Sequence, residues 1–287
     1  VSPHRQAELD PQVPPIDAGD PGSVDLSGLR VGVYDTDDLI EPVPALRRAV
    51  HRAAEIIADA GATVVDYAPT PSADIIYMWM AALTSDGGVT IDRSLAGEKA
   101  SPQLKPSRMI ARVPGPARRL VSTAMARLGE HRVARLLEVL GRKPVEDLWQ
   151  LTNERTLLRR RESDAWQRAE LDALLCPAHV VPAMRHRKSS DFTLSIGPCA
   201  RWSLLNFPAG TVPITKVRAG ETEYPHASDR LDSKVQSVSM DSEGLPIGVQ
   251  VVSRPYREDV ALAVMRAIED AALELDDLPQ TPIDPIT

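Results

Sequence analysis

The sequence has 287 residues, 43% of them hydrophobic, and a formal net charge of −7 at pH 7. That length and apolar content suffice for one large packed core, and the acidic balance excludes the basic footprint expected of a nucleic-acid-binding domain. Two cysteines cannot make a disulfide framework, no apolar run reaches the roughly 18 residues of a membrane-spanning helix, and the N-terminus lacks a signal peptide's charged and apolar regions, so a cytoplasmic protein is expected.

Residues 1–27 are rich in Pro, Asp and Gly and poor in apolar side chains, which predicts an extended linker or arm. Residues 29–34 read as a buried strand. Pro44 then sits in the first turn of a helix whose Leu46, Ala49, Val50, Ala53, Ile56, Ile57 and Ala60 recur at helical spacing; Gly61 caps it, and residues 63–67 return as a strand. This βαβ unit lacks Gly-x-Gly-x-x-Gly at its strand-to-helix turn and so offers no pyrophosphate cradle. Residues 74–83 form a second helix that runs into Ser85-Asp86-Gly87-Gly88, whose paired glycines predict a tight turn with positive φ.

Residues 105–143 carry Lys105, Arg108, Arg112, Arg118, Arg119, Arg127, Arg132, Arg135, Arg142 and Lys143 against only two acids, Glu130 and Glu138. Pro114-Gly115-Pro116 divides the segment into two helices, and in the second Leu120, Ala124, Leu128, Val133, Leu136, Leu137 and Leu140 make an apolar stripe opposite the arginines. Such a pair either lies in a membrane surface or packs its stripe on the core or on a second copy as a homodimer. Residues 145–171 read as a long helix, with Glu162 among its solvated charges and Leu148, Leu151, Leu158, Ala165 and Trp166 on its buried face.

Residues 172–178 are a buried strand, 180–190 a polar and basic loop, and 192–205 a helix. Two short apolar strands follow, around Thr211 and Ile247, and read as central sheet strands buried on both faces. A polar insertion over 218–242 separates them, a helix over 258–275 closes the domain, and 276–287 is a tail. The pattern predicts one α/β domain over 28–275, a mixed twisted sheet flanked by helices.

No complete catalytic constellation is visible. Gly-x-Ser-x-Gly is absent, and His4, His51, His131, His179, His186 and His226 are scattered, with no His-Glu-x-x-His and no zinc spacing to cysteine, so neither metal nor other cofactor is expected.

The wording Pro208-Ala209-Gly210-x-x-x-Pro followed by Gly244-Leu245-Pro246-x-Gly248-x-Gln250 resembles the C-terminal part of the amidase-signature serine hydrolases, in particular the fatty-acid amide hydrolases of that family. Residues 29–34 with 44–49, Ser85-Asp86-Gly87-Gly88, Leu148-Trp149-Gln150-Leu151 and residues 171–177 match it in the same order. The resemblance implies the amidase-signature fold and cleavage of the C–N bond of a lipophilic amide by a Ser-Ser-Lys acyl-enzyme route. The family's Gly-Gly-Ser-Ser-Gly type loop is missing from these residues, so the triad is expected in an N-terminal catalytic half outside this chain, which alone is expected to be inactive. It also implies that Thr193, Ile196, Ala200 and Tyr256 line an acyl-chain channel, that the Ser85–Gly88 loop lies near it, and that the 105–143 pair contacts a membrane surface. The competing reading is a noncatalytic module that uses its basic helices to bind a membrane or a partner.

Overall fold

The computed structural model describes residues 3–102, 104–186, 188–189, 192–224, 228–275 and 277–278. His226, the tail apart from Asp277 and Leu278, and the side chain of Lys105 lie outside the described residues. Five strands form one mixed sheet: β1 (Arg30–Val33), β2 (Thr63–Asp66), β3 (Ala173–Pro177), β4 (Ala209–Lys216) and β5 (Pro246–Ser253), in the order β2-β1-β3-β5-β4. β2, β1 and β3 are parallel, whereas β5 is antiparallel to both β3 and β4.

Alternation along the strands builds two cores. Ala173, Leu175, Val249 and Val251 turn toward α2 (Pro44–Asp59) and α11 (Glu258–Leu273). Leu174, Cys176 and Val252 turn the other way, into an aromatic cluster of Trp166, Trp202 and Phe207 contributed by α8 (Val145–Arg168), α9 (Gly197–Leu205) and the turn after it. α3 (Ser72–Leu83) adds Ile75 to this second core. The close approach of layers depends on Gly32, where a Cβ would stand 2.9 Å from the side chains of Leu171 and Leu174.

The expected βαβ unit is present. Pro44 begins α2, and Ala45, Leu46, Ala49, Val50, Ala53, Ile56 and Ile57 are buried, whereas Ala60, past the last turn, is exposed. Gly61 closes the helix at φ +99°. Gly87 and Gly88 take positive φ, and Asp86 then caps the short helix α4 (Val89–Leu95), accepting from the Gly88 and Thr90 N–H groups at 2.7 Å.

Several expectations are corrected. The N-terminal arm is not uniformly extended: it contains α1 (Pro3–Leu9) and two short 3-10 turns, Pro21–Ser23 and Leu26–Gly28. Asp20 and Asp25 cap these turns, and Val24 and Leu26 rest on the core. The basic segment holds three helices, α5 (Leu104–Arg112), α6 (Gly115–Arg127) and α7 (His131–Val139), because Gly129 reverses the chain at φ +85°. The reversal breaks the anticipated stripe: Leu120 and Leu128 are over 70% exposed, and Leu140 is buried.

On α8 the buried stripe is Leu158, Glu162 and Trp166, so Glu162 lies in the core rather than in solvent, and Leu148 is exposed. The 218–242 insertion contains α10 (Arg230–Ser239), capped by the Asp229 carboxylate. β4 is an edge strand of the described sheet, with Ala209, Thr211 and Pro213 exposed; β3 and β5 are the strands buried on both faces. The apolar spelling of β4 reports only its α11-facing side.

Candidate functional site

The C-terminal ends of β1 and β3 are where a ligand site forms in a parallel α/β arrangement. β1 runs out through Tyr34 and Asp35 to Asp37, whose carboxylate accepts from the N–H groups of Leu39 at 2.9 Å and Ile40 at 3.1 Å. β3 runs out through Pro177 to His179. A 3-10 turn, Thr193–Ile196, then leads straight into α9, and Gly197 faces Asp37 with no side chain between them. Pro198 near the N-terminus of α9 and Asn206 at φ +58° beyond its end fix the helix boundaries.

Beneath these ends lies a buried polar cluster. Arg201 is 1% exposed and donates to the Thr70 carbonyl and the Ser72 hydroxyl, while its Cζ stands 5.9 Å from each of the Tyr34 and Trp202 ring centroids. Burial pushes the Cys176 thiol up to about 11, and its sulfur lies 3.6 Å from Gln250 Oε1. Burial, and then the neighbouring Cys176, likewise raise the Tyr34 phenol well above its ordinary value. Asp37 is raised, chiefly by burial. A neutral thiol and a neutral phenol in this setting are inert as nucleophiles at neutral pH, since the thiolate is the reactive form. Tyr34 Oη, Trp202 Nε1 and Arg201 Nε are buried without a hydrogen-bond partner.

A serine and a histidine also meet here. Ser195 Oγ lies 3.1 Å from His179 Nε2 and 2.6 Å from the Phe192 carbonyl, to which it donates. Its proton is therefore committed to a backbone acceptor, and Ser195 is 1% exposed, so the pair is not an activated nucleophile. Sequence spacing gives no sign of this contact, because the 16-residue separation is bridged by an irregular loop. Among the described residues no group of three or more His, Cys, Asp or Glu side chains is arranged to hold a metal ion.

The four residues assigned to an acyl-chain channel do not gather at one point. Thr193 and Ile196 are half-buried and share one side of the 3-10 turn, three residues apart; Ala200, one helical turn beyond Ile196, is 4% exposed. Tyr256 follows β5, whose last residue Ser253 lies opposite Ala173, the first residue of β3. It therefore stands at the other end of the sheet, 51% exposed and at φ +65°.

The basic helices form a separate surface. Arg118, Arg119, Arg142 and Lys143 line a cleft of about 320 Å³ with Glu138 and Asp147, and burial followed by the Arg118 charge lowers the Lys143 ammonium. Leu120 and Val121 on α6 and Leu128 at its C-terminus are exposed. Arg132 instead binds inward, donating to Asp229, Asp232 and the Leu39 carbonyl, which ties α7 to α10 and to the end of β1. Among the described residues no helix is long and apolar enough to cross a membrane.

Residues 4–262 match the family model described as Amidase. Over 271 residues the chain is 30% identical to fatty acid amide hydrolase 1 of Caenorhabditis elegans, covering 93% of this chain and 47% of that protein. Fatty-acid amide hydrolase 1 of Sus scrofa is 31% identical over 268 residues, covering 91% of this chain and 46% of its own length. Among solved structures, a fatty acid amide hydrolase superposes with a TM-score of 0.68 at 20% identity, over 95% of this chain and 44% of that one. A 6-aminohexanoate cyclic dimer hydrolase superposes at 0.57 and 17% identity, over 92% and 50%. The chain spans about half the length of the curated relatives it matches.

Proposed function

We propose, from the premise that this chain belongs to the amidase family, that it is the substrate-channel portion of an amide hydrolase acting on lipophilic amides. The observation that carries the reading is the 30–31% identity, across more than nine-tenths of the chain, to two enzymes named for fatty-acid amides. In this reading the reacting groups are a Ser-Ser-Lys triad on polypeptide outside the 287 residues. The lysine accepts the terminal serine's proton through the bridging serine as that serine attacks the amide carbonyl, and backbone N–H groups hold the oxyanion of the tetrahedral adduct. Its collapse breaks the C–N bond, the amine leaves with the proton returned through the bridging serine, and water then hydrolyses the acyl-serine ester to the free acid. The inert setting of Cys176 and the committed proton of Ser195 support an external nucleophile. Thr193, Ile196 and Ala200 form one wall of the acyl channel, and Tyr256, a strand's length away, meets only the distal part of a long chain.

A second reading concerns location. The exposed Leu120, Val121 and Leu128 of α6 and its C-terminus, together with the basic Arg118, Arg119, Arg142 and Lys143 cleft, favour docking of α6 and α7 on an anionic membrane surface, which would deliver lipophilic substrates.

The hydrolase reading is tested on the full-length gene product with a fluorophosphonate label and a dodecanoyl anilide. Covalent labelling at a serine outside the 287 residues, with release of the aniline, is expected. Turnover by the isolated 287 residues, or labelling within them, would overturn the assignment of the triad.

A further inference from the structure

His179 is held at both ring nitrogens. Nδ1 lies 3.2 Å from the Val181 nitrogen and 3.1 Å from the Val181 carbonyl oxygen, so it accepts from the one or donates to the other according to the tautomer. Nε2 stands 3.1 Å from Ser195 Oγ, and Ser195 passes its own proton to the Phe192 carbonyl at 2.6 Å. The result, in either tautomer, is a continuous chain of polar contacts from the Val181 backbone through the imidazole and the Ser195 hydroxyl to the Phe192 carbonyl. Burial lowers the imidazole's affinity for a second proton.

The chain ends on the segment that carries the channel residues. Ser195 points inward at 1% exposure, while Thr193 and Ile196, three apart in the same 3-10 turn, lie side by side. A 3-10 turn of four residues is marginal by itself. Among the described residues, no helix or strand lies between Pro177 and Thr193 to hold it. The imidazole is the side chain that links the fixed end of β3 to this turn.

We infer that His179 is a positioning residue for substrate binding: acting through Ser195, it holds the Thr193–Ile196 turn against the end of β3 and thereby sets affinity for the acyl chain. The inference rests on the hydrolase reading above and deepens it by naming what fixes the channel wall. Acting through Ser195 on the turn, His179 affects KM for long acyl chains and leaves kcat alone.

The experiment compares wild type, His179→Leu, His179→Gln and Ser195→Ala in the full-length gene product, with dodecanoyl and acetyl anilides. His179→Leu and Ser195→Ala should raise KM for the dodecanoyl substrate about fivefold, the worth of one net hydrogen bond, with kcat and the acetyl anilide's KM within about twofold of wild type. His179→Gln, whose side-chain amide can donate to or accept from Ser195 in place of Nε2, should restore most of the loss. If the variants fold but shift both chain lengths alike, or lower kcat, or if glutamine rescues nothing, the positioning role is overturned while the hydrolase reading stands. If wild type turns over neither anilide, the hydrolase reading falls, and equilibrium dialysis with the dodecanoyl anilide decides the inference. A dissociation constant raised in His179→Leu and restored in His179→Gln sustains it; equal constants, or no binding by wild type, overturn it. Should His179→Leu fail to fold, Ser195→Ala carries the same comparison.

Discussion

Glu162, fully buried in the middle of α8, accepts a hydrogen bond at 2.9 Å from the hydroxyl of Tyr67, just beyond the end of β2. The same carboxylate takes the Thr70 hydroxyl at 2.6 Å and the Trp166 indole N–H at 3.3 Å. Burial, and next the Glu162 charge, push the Tyr67 phenol far above its ordinary value. Glu162→Ala would strand four donors, the Thr70 N–H at 3.4 Å among them, and should cost about 3 kcal/mol. Glu162→Gln, which keeps an acceptor, should cost less. Urea unfolding followed by tryptophan fluorescence checks the order; equal losses would show that the charge, not the acceptor, matters.

Arg132 carries a second buried pairing. Burial raises the Asp232 carboxyl, but hydrogen bonds from Ser228 and Arg132 outweigh it and leave the group below its usual range. A depressed folded value means that this stabilisation is complete above the unfolded carboxyl's pKa of about 3.9 and is lost as pH falls through the folded value. Arg132→Met should cost roughly 3 kcal/mol at pH 7, because it leaves the buried Asp232 and the half-buried Asp229 without a cation. It should also flatten the loss of stability below about pH 4. Thermal unfolding between pH 3 and 7 measures both, and an unchanged acid limb would count against the pairing.

The proposed acyl channel predicts a pattern in chain length. Tyr256→Ala should raise KM for long-chain amides more than for short ones, by about fivefold at most, since the ring is half exposed. Ala200→Leu, which enlarges a buried side chain one helical turn from Ile196, should favour short chains instead. Steady-state kinetics on an acyl series checks both, and equal effects at every length would remove either residue from the channel.

Membrane docking predicts a salt-sensitive affinity. Wild type should bind vesicles containing phosphatidylserine more tightly than neutral ones. Leu120→Ser with Leu128→Ser, or Arg118→Gln with Arg119→Gln, should each weaken binding at least about tenfold, at about 1 kcal/mol per basic residue near anionic lipid. Co-sedimentation measures this, and identical binding of all variants would confine these helices to packing.

Much of the sheet is legible in the residues. β1, α2 and β2 declare themselves because the apolar period changes from strand to helix and back at Pro44 and Gly61, where backbone chemistry leaves little choice. The edge position of β4 is not legible: a strand with one apolar face and small residues on the other spells almost like a central one. Glu162 is misread for a related reason, since its partners Tyr67 and Thr70 come from a distant loop and no helical spacing announces them. The amphipathic period of the basic segment is real, but Gly129 turns it back on itself. Thr193, Ile196 and Ala200 fall on one turn-and-helix segment as their spacing suggests, whereas the separation of Tyr256 follows from the antiparallel run of β5, which only the pairing register reveals.

The position of β4 also governs how the isolated polypeptide should behave in a tube. Among the described residues its outer rim has no strand beside it, and Pro213 removes only one of the donors that rim presents. Kept at high concentration without a covering neighbour, two such rims would zip together, so self-association rather than melting is the first failure to look for during purification.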